Sequence, residues 1–324
     1  MKPKVYATYP LSKRVKEFMT ETCNLRMWTG EGRVPQEVLL KEIANVEGLY
    51  TSGSTAGRID EALLNHAPDL KVVSNVSVGY NNFDIEAMRE RNIVGTNTPY
   101  VLDETVADLA FALILSTARR IVELDQFVKE GKWKATTIYE ETYGKDVHSA
   151  TIGIIGMGRI GEAIARRAKF GFNMDVVYYN RNRRLEAEEK YGARYLDLPN
   201  LLAEADYVLL MTPLTPETFH LMGEAEFKLM KKTAIFINVS RGQTVDEQAL
   251  IQALKNKEIY AAGLDVFEQE PVDPTNPLLK MSNVVTVPHI GSATAKTEEA
   301  MAMRAAENLV AVLNGQEPRD TVTK

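Results

Sequence analysis

The sequence predicts an α/β protein: two doubly wound parallel-sheet domains with a cleft between them. Three observations lead there. Short apolar runs alternate with amphipathic stretches along most of the chain, as strands and helices taken in turn would. A glycine-rich turn, Gly156-Met157-Gly158-Arg159-Ile160-Gly161, sits between an apolar run and a helix-forming run. The length, 324 residues, exceeds what one hydrophobic core usually serves, which favours two domains.

In the first hundred residues, strands are expected at 4–8, 25–28, 48–52, 70–77 and 93–97, and helices at 13–22, 35–44, 59–66 and 85–91. The run 106–118 is the most apolar in the chain. It contains Asp108 and is far shorter than the roughly 20 residues that cross a bilayer, so it reads as a buried helix. Asp103 or Glu104 at its start and Arg119-Arg120 at its end suit the helix dipole. The stretch 121–148 is polar and weakly periodic, an excursion leading into the second domain. That domain opens with a strand at 151–155 and continues with strands at 174–179, 207–211, 234–239, 260–265 and 284–287. A long helix at 293–313 closes the chain, with Gly315 as its cap.

Composition sets limits on function. Hydrophobic residues make up 45% and charged residues 25%, ordinary values for a soluble protein. The net charge of −6 gives no general attraction to nucleic acid or anionic membranes, so neither is an expected partner. Cys23 is the one cysteine, which rules out an intrachain disulfide and suits a cytoplasmic setting. The N-terminus lacks the apolar stretch of a secretory signal. One cysteine and four scattered histidines offer no zinc-binding spacing, and no metal is expected.

The glycine turn predicts a dinucleotide. Gly156 would make the tight turn, Gly158 would let a pyrophosphate approach the backbone, and Gly161 would allow close helix packing. Free N–H groups at the helix start would meet the phosphate charge. Without its strand–turn–helix setting, the same pattern is only a structural turn. The next strand ends in Tyr179-Asn180-Arg181-Asn182-Arg183-Arg184. No carboxylate stands where one would grip the ribose hydroxyls of NAD. The arginines suit a 2′-phosphate, so NADP(H) is the expected cofactor, with NAD(H) possible. The competing reading is a solvated basic loop paired with Glu186, Glu188 or Glu189.

Of the four histidines, His66, His148 and His220 have no chemical setting legible in the sequence. His289 follows an apolar strand and precedes Ile290-Gly291-Ser292. Ligands of open α/β sheets bind beyond the carboxyl ends of strands, where His289 is expected. Two other strand ends lead to Arg241 and to Glu270. An arginine there can bind a carboxylate through two parallel bonds. A carboxylate beside an imidazole orients it and favours its charged form. Each residue alone reads as an ordinary charge at the protein surface; three complementary groups at three strand ends of one domain do not.

With these residues in view, the sequence resembles the D-isomer-specific 2-hydroxyacid dehydrogenases over essentially its whole length. The matching segments are Gly153 to Gly161, Asn238-Val239-Ser240-Arg241-Gly242, Gly263 to Phe267 with Glu270-Pro271, and Pro288 to Ser292. The resemblance implies a flavodoxin-like substrate-binding domain from 1–98 and 290–324. It implies a Rossmann cofactor domain from 99–289. It implies Arg241, Glu270 and His289 as the catalytic set, and substrate contacts from Ser54, Val78, Gly79, Arg241 and Ser292. The stretch 74–84 looks like the substrate loop, with the N–H groups of Val78 and Gly79 holding a carboxylate. Cofactor contacts are implied for Thr105, for Gly156 through Gly161, for Asn180, Arg181, Asn182 and Arg183, and for Thr212, Pro213 and Thr218. Val239, Ser240, Asp265, His289 and Gly291 complete that set. Ser52, Gly53, Thr55 and Tyr80 are expected in the pocket wall. Relatives pair as homodimers through segments corresponding to 106–118 and 121–148, although 106–118 could equally be buried within one subunit.

The arginine-bearing segment is similar to that of NADPH-using glyoxylate/hydroxypyruvate reductases and bacterial 2-ketogluconate reductases. Formate dehydrogenases carry glutamine where Glu270 stands, and phosphoglycerate dehydrogenases often carry an extra regulatory domain. The implied reaction is reduction of a small 2-keto acid to a D-2-hydroxy acid. Arg241 would anchor the carboxylate and polarise the carbonyl, His289 would act as general acid, and Glu270 would support His289. The alternative is a dinucleotide-sensing, corepressor-like binding protein without turnover.

Overall fold

The computed structural model describes residues 1–53, 55–136 and 139–323. Ser54 lies outside the described residues. The chain divides into two compact units, 1–102 with 293–324, and 103–292.

The first unit is built on five parallel strands: β1 (Lys4–Ala7), β2 (Asn24–Met27), β3 (Gly48–Thr51), β4 (Val72–Asn75) and β5 (Val94–Thr96). Their order, β2-β1-β3-β4-β5, is that of flavodoxin-like sheets. Four helices alternate with them: α1 (Lys13–Thr22), α2 (Gln36–Ile43), α3 (Glu61–Leu64) and α4 (Ile85–Glu90). Local chemistry sets several helix starts. Asp60 and Asp84 each accept a backbone N–H three residues on. The core beneath includes Leu39, Ile43, Leu49, Ile59, Val73 and Met88, all at most 2% exposed. The last helix also packs in this unit, and Tyr50 reaches across to donate its hydroxyl to the Ala302 carbonyl at 2.8 Å.

The second unit begins with α5 (Asp103–Ala118), which includes the expected acidic residues in its first turn. The expected basic end is not there. Arg119 and Arg120 lie beyond the helix, and Arg120 takes a left-handed φ of 55°. That turn starts α6 (Ile121–Lys129), where Arg120 grips Glu123 through two bonds of 2.7 and 2.8 Å. The excursion is thus helical at its start. None of the residues of this helix is buried.

The sheet of this unit contains β6 (Thr151–Ile155), β7 (Asp175–Tyr179), β8 (Arg194–Tyr195), β9 (Tyr207–Leu210), β10 (Ile235–Asn238), β11 (Ala261–Leu264) and β12 (Val284–Thr286). Two-residue β8 is too short to leave a sequence signal. Between the strands run α7 (Arg159–Phe172), α8 (Leu185–Tyr191), α9 (Leu198–Glu204), α10 (Glu224–Leu229) and α11 (Glu247–Lys255). All neighbours are parallel, in the order β12-β11-β10-β9-β6-β7-β8. This is the dinucleotide-binding order, extended by one strand, and its switch point lies between β6 and β9. Strands β9, β10 and β11 are buried along their whole length, as helices on both faces require. The chain closes with α12 (Ala295–Leu313) in the first unit, started by Thr294, which accepts the Thr297 N–H. Among the described residues, no helix is long and apolar enough to cross a membrane.

Candidate active site

Beyond the carboxyl end of β6, the glycine turn takes its shape from sterics. Gly156 has φ +109°, and a Cβ there would stand 2.5 Å from the Met211 carbonyl oxygen. Its N–H donates to the Tyr179 carbonyl at 2.9 Å, which ties the turn to the end of β7. Gly158 caps α7, and a Cβ there would meet nothing within 4 Å, so the backbone is open to an approaching group. Gly161 is confined chiefly by the turn itself: its Cβ would lie 2.3 Å from the Gly156 carbonyl. Met157 is buried and Ile160 half-buried. Arg159 pairs with Asp103 at 3.2 Å.

These residues fit a dinucleotide. The N-terminus of a 14-residue helix opens beside an unobstructed backbone, which suits a pyrophosphate. Across the switch point, Thr212 Oγ1 is buried with no hydrogen-bond partner among the described residues. A buried hydroxyl left so is costly unless a ligand or water meets it. Thr218 donates its hydroxyl to the Pro213 carbonyl at 2.6 Å and accepts the Thr215 N–H at 2.8 Å, which shapes the loop after β9. Thr105 lies in the first turn of α5.

The arginines after β7 are not equivalent. Arg183 holds Glu188 through two bonds of 2.7 Å, and Tyr178 donates its hydroxyl to the same carboxylate. Arg184 pairs with Glu162 at 3.0 Å. Arg181 makes no ion pair among the described residues. Asn180 donates its side-chain amide to the Asn182 carbonyl at 2.9 Å. The solvated-loop reading holds for Arg183 with Glu188, while Arg181, without an ion pair, lies within electrostatic reach of Glu217.

At the carboxyl ends of β10, β11 and β12, the structure brings Arg241, Glu270 and His289 together. His289 Nδ1 lies 2.7 Å from Glu270 Oε2. An ionised carboxylate can only accept, so Nδ1 carries the hydrogen and Nε2 is left for other partners. His289 has a left-handed φ of 53°, held by its N–H bonds to the carbonyls of Asp265 and Val287 at 2.9 and 3.1 Å. Glu270 Oε1 accepts the Phe267 N–H at 3.1 Å. Burial pushes the Glu270 carboxyl up. The bond and charge of His289, the Phe267 N–H and Arg241 outweigh it, so the group lies below its ordinary 4.5.

Asp265 is buried and accepts the Ile290 N–H at 2.6 Å. Burial raises its carboxyl, against the pull of the Ile290 N–H, His289 and the Gly291 N–H. Arg241 is lowered by burial, and Glu270 and Asp265 oppose that fall. Its Nη1 donates to the Ser240 carbonyl at 2.7 Å, and its own carbonyl accepts Thr244 Oγ1 at 2.6 Å. Ser240 in turn donates its hydroxyl to Asn238 at 2.8 Å. Val239 is buried beside it. Gly291 and Ser292 follow His289 at the end of this unit.

The loop after β4 is described within the first unit. The Ser77 carbonyl accepts the Thr98 N–H at 2.9 Å. The Val78 carbonyl accepts Asn97 Nδ2 at 2.8 Å, and the Gly79 carbonyl accepts Asn75 Nδ2 at 2.9 Å. With three successive carbonyls engaged, the N–H groups of Val78 and Gly79 make no hydrogen bond among the described residues. Paired free amides of this kind suit an anion. Asn75 and Asn97, at 0% and 8% exposure, hold the loop from behind. No local sequence signal marks them, because their role depends on what β4 and β5 place side by side. Ser52 and Thr55 share a hydroxyl bond of 3.2 Å, and Tyr80 is exposed.

Comparison with known proteins identifies relatives in sequence and in structure. Residues 111–291 match the family model of the D-isomer specific 2-hydroxyacid dehydrogenase NAD-binding domain. The glyoxylate/hydroxypyruvate reductase B of Enterobacter sp. strain 638 is 51% identical, covering 99% of this chain and 98% of that protein. A crystal structure of a protein from Thermus thermophilus superposes with a TM-score of 0.90 at 42% identity, covering 98% of this chain and 99% of that one. An NADPH-dependent glyoxylate/hydroxypyruvate reductase from Sinorhizobium meliloti, solved with NADP and malonate, has a TM-score of 0.86 at 32% identity. It covers 99% of this chain and 97% of its own.

Proposed function

The chain belongs to the D-isomer specific 2-hydroxyacid dehydrogenase family, in the glyoxylate/hydroxypyruvate reductase branch, and we propose that it reduces glyoxylate, hydroxypyruvate or 2-ketogluconate with NADPH preferred over NADH. It is an NAD(P)-dependent oxidoreductase acting on 2-keto acids. The single observation that carries the residue roles is the 2.7 Å bond between His289 and Glu270, with Arg241 within electrostatic reach.

A dinucleotide held by these residues would supply the hydride, so that keto acid, reduced cofactor and one proton would become hydroxy acid and oxidised cofactor. Arg241 grips the substrate carboxylate and polarises the carbonyl that will carry negative charge. His289 donates the proton from Nε2 to the forming alkoxide. Glu270 holds the imidazole by Nδ1, so that Nε2 is the donor. The Val78 and Gly79 amides receive the carboxylate. Ser292, together with Ser54, completes the proposed substrate contacts. The glycine turn, Thr212, Pro213 and Thr218 hold the cofactor, with Thr105, Val239, Ser240, Asp265 and Gly291 around it.

The preference for NADPH rests on Arg181. It is the arginine after β7 whose charge no described carboxylate takes up in an ion pair, and it would meet the 2′-phosphate with Asn180 and Asn182. Arg183 would have to leave Glu188 to assist. A second copy of the chain would cover α6, which exposes Ile121, Val122 and Val128; size-exclusion chromatography with light scattering tests that homodimer. For the reaction, each keto acid is paired with NADPH and with NADH and the loss of reduced-cofactor absorbance is followed. Turnover with NADPH exceeding that with NADH is expected. No oxidation of either cofactor across the panel would overturn the reading.

A further inference from the structure

We infer that His220 and Glu268 form a positioning pair for the acid–base dyad, fastening the loop after β9 to the loop that carries Glu270. The inference rests on the roles proposed for His289 and Glu270.

His220 is one of the histidines that the sequence leaves without a setting. Its Nε2 lies 2.9 Å from Glu268 Oε1. Its backbone takes a left-handed φ of 50°, which a non-glycine residue adopts only when its surroundings impose it. The imidazole stacks on Phe219, with ring centroids 4.0 Å apart and planes 16° off parallel.

One carboxylate oxygen, the carbonyl and the N–H of Glu268 are each engaged, and by different elements. Its carboxylate takes His220 of the loop after β9. Its carbonyl accepts Gln243 Nε2 at 2.7 Å, from the loop after β10. Its N–H donates to Glu247 Oε2 at 3.1 Å, in the first turn of α11. The His220 N–H also donates to the Gln243 carbonyl at 3.0 Å. Packing reinforces the tie: a Cβ on Gly242 would stand 1.8 Å from the Phe267 carbonyl oxygen, so the Arg241 loop lies directly on the backbone before Glu268.

The acid–base dyad hangs from this same short segment. The Phe267 N–H holds Glu270 Oε1, and Glu270 Oε2 holds His289 Nδ1. The loop that carries Thr212, Pro213 and Thr218, and the loop that carries Glu270, therefore share one fastening point, Glu268. A surface ion pair would not need three elements to converge on one residue. A device that fixes the dyad relative to the cofactor loop would.

The test uses the full-length enzyme with NADPH and glyoxylate, and the variants His220→Ala, His220→Gln, Glu268→Ala, His220→Ala/Glu268→Ala and His289→Ala. The expected result is a kcat about tenfold lower in His220→Ala, below the roughly hundredfold that a 1 Å misplacement of reacting groups can cost. The KM for glyoxylate should stay within about threefold, since the pair does not touch substrate. His220→Gln places an amide N–H near the position of Nε2–H and should recover most of kcat. Glu268→Ala should match His220→Ala, and the double variant should be no worse than the more damaged single. A folded His220→Ala with unchanged kcat overturns the positioning role, as does a loss of kcat that glutamine does not restore. Full turnover in His289→Ala removes the acid–base reading itself. A collapsed His289→Ala beside an undamaged His220→Ala removes only the pair.

Discussion

The glycine turn after β6 and the His289 cluster after β12 stand at the carboxyl end of one sheet, yet they are held in place by different means. The turn is fixed by its own backbone: a positive φ at Gly156 and a close approach to Met211 are conditions set within a few residues and one neighbouring strand. The cluster is fixed by side chains from distant positions, with Glu270 reaching His289 and Gln243 reaching Glu268. The arginine segment after β7 resembles neither. It is exposed, and its order comes from ion pairs with Glu188 and Glu162. A site built from local backbone depends on few neighbours, whereas one built from converging side chains is weakened by the loss of any member.

The largest break in this comparison should come from His289→Ala. General acid catalysis contributes on the order of 10²–10⁴ in rate, so kcat should fall by that factor. NADPH affinity, measured by fluorescence titration, should change far less than kcat, because His289 is one of many expected cofactor contacts and the glycine turn does not depend on the cluster. Equal losses in kcat and cofactor affinity would show that the two regions are not independent.

A smaller loss, about tenfold in kcat, is expected for Glu270→Gln, which keeps an acceptor for Nδ1 and removes its charge. The same variant has a pH signature. Glu270 lies below its ordinary 4.5, so its stabilising pairing is complete above that value and is lost as pH falls through the depressed one. The melting temperature of the unaltered protein should therefore drop more steeply below about pH 4.5 than that of Glu270→Gln. Parallel curves would mean the pair adds nothing to folding.

Arg181→Ala should reduce the ratio of kcat/KM for NADPH over NADH by roughly ten- to a hundredfold, the range for losing a charged hydrogen bond. Arg183→Ala should change the same ratio by less than about threefold, because an exposed pair with Glu188 already occupies it. Equal effects from both would show that Arg183 gives up Glu188 to the cofactor.

Much of this was legible in the order of residues alone. Both sheets, most of the helices, the glycine turn and the three catalytic candidates could be read because each leaves a local pattern. Apolar runs mark buried strands, and His289, Arg241 and Glu270 each follow one. The helix α6 was hidden because no residue of it is buried, and β8 because two residues carry no period. Asn75, Asn97, His220 and Glu268 could not be found, since nothing near them in sequence says what they hold. The arginines after β7 looked alike in sequence. Only the placement of Glu162 and Glu188 separated Arg181 from its neighbours.

The sequence by itself determined the alternation of strands and helices and the place of the dinucleotide turn. These follow from periodicity and from glycine sterics, which act over a few residues, whereas Arg241, Glu270 and His289 stood out as catalytic candidates through their strand-end positions and the family resemblance. The tertiary structure alone decided which arginines are paired with carboxylates, which nitrogen of His289 faces Glu270, and that His220 meets Glu268. Those depend on contacts between residues up to about fifty positions apart, which exist only once the parallel strands have aligned their carboxyl ends.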